Sequence, residues 1–244
     1  MRNLRLQVEY DGTAFCGFAR QHEMRTVQGV LESALQATLN EPIEVIGASR
    51  TDSGVHARGQ VVNFFTSRPV PTHRLTEILN RRLPMDLKVL NAQEVSANFH
   101  ARFSAKSRVY RYTIYTGAHP SVWKLRYAWH YPRLLDVEAM QAALEAIQGE
   151  HDFRPFSVKI PTEKNTVRTL YRGVVQPTRD GVRIELEANG FLRGMVRLIV
   201  GELARVGEGK QSITSLRERF ETCAQATHMA PAAGLCLMRV KYRL

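Results

Sequence analysis

Two hydrophobic periods alternate along this chain in a fixed order, and the order occurs twice. Leu4, Leu6, Val8 and Tyr10 alternate with Arg5, Gln7 and Glu9, the period-two pattern of a half-buried strand. Asp11-Gly12 turns it. Val27, Val30, Leu31, Ala34 and Leu35 then share one helical face behind Thr26, a residue type that caps helix N-termini, and Pro42 follows the end. Apolar runs at Ile43–Ile46 and Val61–Phe65 read as strands. The pattern predicts a second helix over Thr72–Arg82, stopped by Pro84, and a closing strand over Leu87–Val95. The order then starts again. Val109–Tyr115 is a strand. Asp136 caps a helix with Val137, Met140, Leu144 and Ile147 inward, Leu135 placed to staple onto Met140, and Gly149 ending it. Leu170–Gln176 and Val182–Ala188 form a hairpin around Asp180-Gly181. A helix over about 191–206, an extra helix near 213–226 and a last strand over Leu235–Tyr242 complete it. Such a chain belongs to the α+β class, as two ferredoxin-like β-α-β-β-α-β halves, 1–104 and 105–244. A cleft between two such halves is a natural place for a ligand.

Composition narrows the classes of function. Hydrophobic residues make up 44% and charged residues 23%, as in an ordinary soluble protein. No apolar run reaches membrane-spanning length, and the N-terminus MRNLRLQVEY lacks the apolar segment of a secretory leader. The three cysteines form no CxxC, so the sequence predicts a protein of a reducing cytoplasm. The histidines show no HExxH or similar spacing, so no metal site is indicated.

Charge is more telling. The net charge is +11, and residues 105–244 carry 22 bases against 13 acids, where residues 1–104 carry 12 against 10. From Val95 to Leu135 there is no acid. That window holds Arg102, Lys106, Arg108, Arg111, Lys124, Arg126 and Arg133, interleaved with aromatic residues that include both tryptophans. Cations neutralise phosphates and aromatic faces stack unpaired bases. The pattern fits a nucleic-acid surface, and also a solvated basic face over core aromatics.

Between the runs at Ile43–Ile46 and Val61–Phe65 lies the polar stretch SRTDSGVHARGQ, Ser49–Gln60. Its one carboxylate, Asp52, is also the only acid between Glu44 and Glu77, and it has Arg50 before it and His56 and Arg58 after it. A carboxylate among cations on a strand-supported loop serves as a nucleophile, as an acceptor for RNA or as half of a salt bridge. Asp52-Ser53-Gly54 also reads simply as an Asx turn.

Several blocks taken together resemble one family. They are Tyr10-Asp11-Gly12-Thr13, Thr26-Val27-Gln28, Arg50-Thr51-Asp52 with Gly54-Val55-His56-Ala57, Phe99-His100-Ala101-Arg102, Tyr110-Arg111-Tyr112, Met195-Val196-Arg197, and Ala230-Pro231 to Gly234-Leu235. In this order they are similar to the tRNA pseudouridine synthase A family, over nearly the whole chain. Ser49, Ser53, Phe18-Ala19, Arg193-Gly194 and Leu198 depart from that family's usual pattern, and none removes a group the reaction needs.

The resemblance implies sheets that join across the two halves, a central active-site cleft and a homodimer. It implies isomerisation of uridines 38, 39 and 40 in the anticodon arm of tRNA, without cofactor or metal. It implies Asp52 as the nucleophile, Arg50 filling the gap left by a flipped base, Tyr110 stacking on uracil, and Arg197 pairing with Asp52. His56, Arg58, Arg108 and Arg126 complete the expected substrate contacts. Each has a plainer reading: Arg50 as a phosphate contact, Tyr110 as a core aromatic on the face of Tyr112 and Ile114, Arg197 as an exposed cation. Gly194 and Gly201, on the face of Arg197, would let something approach it closely. Two rival functions remain at this level. A noncatalytic RNA-binding protein shares the basic aromatic window. A nuclease would ordinarily need a metal or a general-base histidine pair, and neither spacing is present.

Overall fold

The computed structural model describes residues 1–158 and 165–243. The chain divides into two compact units, Met1–Lys106 with Leu237–Leu244, and Ser107–Cys236.

In the first unit β1 (Arg2–Tyr10) is the central strand, and Leu4, Leu6, Val8 and Tyr10 are buried as their alternation requires. α1 (Val27–Leu39) follows, with the Thr26 hydroxyl accepting from Gly29 N–H at its N-terminus. β2 (Ile46–Gly47), β3 (His56–Thr66), α2 (Thr72–Arg82) and β4 (Leu87–Val95) complete the unit's own run. β1 pairs antiparallel with both β3 and β4, and β2 pairs antiparallel with β3. The order β4-β1-β3-β2 is the ferredoxin-like arrangement expected. Val27, Leu31, Leu35 and Leu39 of α1 and Leu75 and Leu79 of α2 are buried, each such side chain contributing roughly 1.5–3 kcal/mol.

The apolar run Ile43–Ile46 makes a strand only at its end. Val45 N–H donates to Glu32 Oε1 at 2.9 Å, and Gln28 Nε2 donates to the Val45 carbonyl at 3.1 Å. Side chains of α1 therefore hold both backbone groups of Val45. At the other end of the polar stretch, β3 begins at His56. Five of the twelve residues that read as loop are strand.

The second unit is built on β5 (Ser107–Tyr115), which pairs in parallel with the short β6 (Trp129–His130). α3 (Val137–Glu145), β7 (Gly149–Asp152), β8 (Val167–Thr178) and β9 (Gly181–Ala188) follow. Asp136 caps α3 by accepting from Ala139 N–H at 2.9 Å. α3 ends at Glu145, and Gly149 opens β7 instead of closing the helix. The strands run in the order β5-β9-β8-β7, all antiparallel, with Thr178 opposite Gly181 at the two-residue hairpin turn. β7 carries Gly-Glu-His-Asp, and four polar residues have no strand signature.

α4 (Met195–Gly207) is buried along nearly its whole length, with Arg197 and Arg205 its only two residues that are not. It starts at Met195 behind Gly194, four residues later than the periodicity suggests. α5 (Ile213–Thr222) and β10 (Leu235–Lys241) end the order. α5 stops at Thr222, short of 226, because Cys223 turns to positive φ. Among the described residues no helix is long and apolar enough to cross a membrane, and no group of three or more His, Cys, Asp or Glu is placed to hold a metal ion.

Gly201 of α4 lies against backbone. A Cβ there would stand 1.8 Å from the His228 carbonyl oxygen, closer than any real contact, and a main-chain carbonyl cannot rotate away like a side chain. Gly201→Ala is therefore expected to lower stability by about 1–3 kcal/mol, measured as a shift in the urea midpoint at unchanged slope.

Candidate active site

The loop that carries Asp52 is held by groups around it. Ala48 N–H donates to the Val61 carbonyl at 2.8 Å. Gln60, fully buried, grips Ser49 from both sides: its Nε2 donates to the Ser49 carbonyl at 2.6 Å and its Oε1 accepts from Ser49 N–H at 3.3 Å. The Tyr10 hydroxyl and Thr51 Oγ1 share a buried hydrogen bond of 2.8 Å, and Phe18 N–H donates to the Thr51 carbonyl at 3.0 Å. After Asp52 the chain reverses. Val55 N–H donates to the Asp52 carbonyl at 3.2 Å, with Gly54 at φ +77° as third residue of the turn, a conformation that favours glycine. Gly54 N–H and Ser53 Oγ both donate to the Phe15 carbonyl. The residues on either side of Asp52 thus have fixed positions, and Asp52 itself is half-buried at the head of the turn.

Arg50 and Arg58 are exposed on either side of it. His56 differs from the expectation of a loop residue at the surface. It is the first residue of β3 and is buried, and its Nδ1 accepts from Gly12 N–H at 3.0 Å. An Nδ1 that accepts carries no proton, so its 3.2 Å approach to Asp11 Oδ1 is proximity and not a second hydrogen bond. His56 ties the Asp11-Gly12 turn to β3. It is a neighbour of the Asp52 loop through the scaffold.

In the second unit Tyr110 and Arg108 lie on β5, Arg197 on α4 and Arg126 in the connection before β6. Tyr110 is buried, with the Phe191 ring edge-on at 5.1 Å. Arg108 is buried as well, and its Nη1 donates to the Asn189 carbonyl at 2.7 Å. One of its five N–H donors is thus engaged by main chain. Arg126 is exposed.

Arg197 is fixed by main chain. Its Nε donates to the Ala230 carbonyl at 2.7 Å, and Ala230 N–H donates back to the Arg197 carbonyl at 3.0 Å. What Gly201 admits beside Arg197 is therefore the chain's own segment around His228, not a ligand. Tyr112, two residues after Tyr110, is fully buried and donates to the Pro231 carbonyl at 2.7 Å. Burial pushes its hydroxyl well above the usual tyrosine range, against the opposing charge of Arg197. Tyr112 and Arg197 together hold Ala230 and Pro231.

The same segment has a second anchor that the sequence did not single out. Glu202 of α4 is fully buried. Its carboxylate accepts from Thr227 N–H at 3.1 Å, His228 N–H at 3.3 Å and Arg219 Nη2 at 3.1 Å. Burial alone would raise its pKa. The His228 N–H, the Arg219 charge, the Gln211 side chain and the Thr227 N–H outweigh that and hold it below the usual carboxylate range. A buried acid inside an apolar helix period was the available signal. Gln60 and Tyr10 were similarly missed as holders of the loop: Tyr10 sits in a strand pattern that explains it by itself, and Gln60 reads as the last residue of the polar stretch.

The sequence profile of a family described as tRNA pseudouridine synthase matches residues 6–104 and 143–243. A protein of Brevibacillus brevis named tRNA pseudouridine synthase A is 43% identical over 244 residues, 99% of this chain and 100% of its own length. Proteins of the same name from Clostridium kluyveri and a Synechococcus species are 40% and 42% identical over 99% of this chain, covering 100% and 83% of their own lengths.

Glu202→Gln keeps the shape and removes the charge. A carboxylate with a depressed folded pKa stabilises fully above its unfolded value and loses that contribution as pH falls through the folded one. At pH 7 the variant is expected to be less stable by about 2 kcal/mol. In urea titrations the gap should narrow below about pH 4.3.

Proposed function

The chain belongs to the tRNA pseudouridine synthase family, and we propose that it isomerises uridine in tRNA to pseudouridine with Asp52 as the nucleophile. The observation that carries the assignment of Asp52 is its loop: a carboxylate flanked by two exposed arginines, on a turn whose neighbouring residues are tied to β1 through the Thr51 hydroxyl and to β3 and the 15–18 segment through main chain. Nucleophiles need positions fixed to a fraction of an ångström, since about 1 Å of displacement can cost about a hundredfold in rate.

The chemistry breaks the N1–C1′ bond, turns the uracil and joins C5 to C1′, with the C5 proton leaving to water and N1 taking a proton in its place. One carboxylate suffices, attacking C1′ or C6. The target base must leave its stack, at a cost of a few kcal/mol. Arg50 takes the place of the flipped base. Tyr110 supplies its ring to the uracil and its hydroxyl to the C5 proton, and Arg197 pairs with the Asp52 carboxylate. The family resemblance supports these three roles. The proposed substrate is the anticodon arm at uridines 38, 39 and 40, which places the enzyme in the cytoplasm. A second copy of the chain is the proposed partner. Val122, Trp123 and Leu134 are each at least 80% exposed, and exposed apolar side chains are the kind that such an interface covers.

The decisive experiment uses tRNA carrying tritium at uracil C5. Wild type is expected to release tritium to water, as neither binding nor strand cleavage would. Asp52→Asn should fold, bind tRNA at least as well, and release none above background. A folded, tRNA-binding Asn variant with substantial turnover would remove Asp52 from the mechanism.

Phosphate contacts by the acid-free window predict a steep salt dependence, with a slope near −0.9 per phosphate neutralised on duplex. Replacing the exposed Arg126 and Arg133 together with glutamine should flatten the plot of log affinity against log salt. An unchanged slope would put the RNA backbone elsewhere.

A further inference from the structure

We infer that the turn His100–Ser104 is a stacking platform for an unpaired base of the RNA, separate from the loop that carries Asp52. The inference rests on the reading of the protein as a tRNA-binding enzyme and extends it to a second contact.

The turn is rigid for reasons visible in its bonds. His100 N–H donates to Ser104 Oγ at 3.1 Å, and Ser104 N–H returns to the His100 carbonyl at 2.9 Å. Ala101, fully buried, donates its N–H to Asn63 Oδ1 at 2.8 Å, and its carbonyl accepts from the Tyr242 hydroxyl at 2.8 Å. Asn63 is itself fully buried and donates to Asn3 Oδ1 at 2.9 Å, while Asn3 donates to the Ser96 and Phe99 carbonyls. A ladder of buried amides therefore fastens the turn to β1 and β3.

What the turn presents is less ordinary. Phe103 is 75% exposed although its ring already meets the His100 ring, with centroids 4.3 Å apart. The Arg102 guanidinium lies 5.5 Å from the Phe103 centroid. His100 Nδ1 accepts from both Arg102 N–H and Phe103 N–H at 3.2 Å. Two donors on Nδ1 leave the ring proton on Nε2, so the imidazole offers one N–H donor beside the exposed ring. A single exposed phenylalanine is common and means little. A phenylalanine fixed in place, with a cation over it and a donor beside it, presents the three groups that recognise a nucleobase joined to a phosphate.

The surroundings favour RNA over a protein partner. The turn lies inside the acid-free window from Val95 to Leu135, so no carboxylate of that window repels phosphate. Stacking tolerates any base, because every base has a π-face. The Phe103 ring thus takes a base for its shape.

The test separates stacking from charge. Phe103→Ala should weaken tRNA binding by on the order of 5- to 150-fold at every salt concentration, with the slope of log affinity against log salt unchanged. Phe103→Trp should restore most of the affinity. Arg102→Gln should instead lower the slope by about 0.7–0.9, one phosphate's share. Wild-type affinity for Phe103→Ala would overturn the inference. So would a Phe103→Ala variant whose sedimentation mass falls, since that would make Phe103 part of a protein interface. Failure here is distinguishable from failure of the catalytic reading, because tritium release by wild type and its loss in Asp52→Asn do not depend on Phe103.

Discussion

A loop that leaves a sheet must find partners for its backbone groups, and the loop before β3 finds them in residues far from it in sequence. Gln60 and Tyr10 take the Ser49 backbone and the Thr51 hydroxyl. The 15–18 segment takes Thr51 and Gly54. Each of these groups would cost free energy if buried unpaired. The conformation in which all are paired is also the one that holds Asp52 at the head of its turn. The satisfaction of main-chain hydrogen bonds and the aim of a carboxylate are here a single constraint. The side chain with the proposed chemistry is placed by its neighbours' bonds.

The second unit uses the same device with different parts. Arg197 is oriented by a carbonyl and an N–H of Ala230. Ala230 is in turn placed by a segment that Glu202 grips through two backbone N–H groups, while Arg219 balances the charge. Gly201 allows that segment to lie against the helix. A buried carboxylate is expensive unless it is paired and hydrogen-bonded. Glu202 is both, so its cost is offset and the segment acquires a directional anchor that apolar packing alone would not supply.

Much of the fold was legible because hydrophobic period is a local property. The strand at Leu4–Tyr10, the helix at Thr72–Arg82 with its bounds and the closing strand at Leu87–Val95 follow from spacing alone. The misreadings lie elsewhere. The run Ile43–Ile46 looks like a strand, yet only Ile46 of it pairs with β3, while α1 side chains hold the Val45 backbone. Gly149 looks like a helix stop, yet it begins a polar strand that pairs with β8. That partner is distant in sequence, and no window of adjacent residues contains it.

The site divides in the same way. Residue types and their spacing were enough to single out Asp52 among its cations, the acid-free aromatic window, and the blocks that resemble one enzyme family. They left His56 as an apparent surface ligand and Gly201 as an apparent opening beside Arg197. Only the folded chain turned His56 inward onto Gly12 and filled the space at Gly201 with the His228 backbone. Chemical capability belongs to side chains and is written in their identity. Whether a side chain faces solvent, a ligand or its own main chain depends on which distant backbone groups need a partner, and tertiary packing alone decides that.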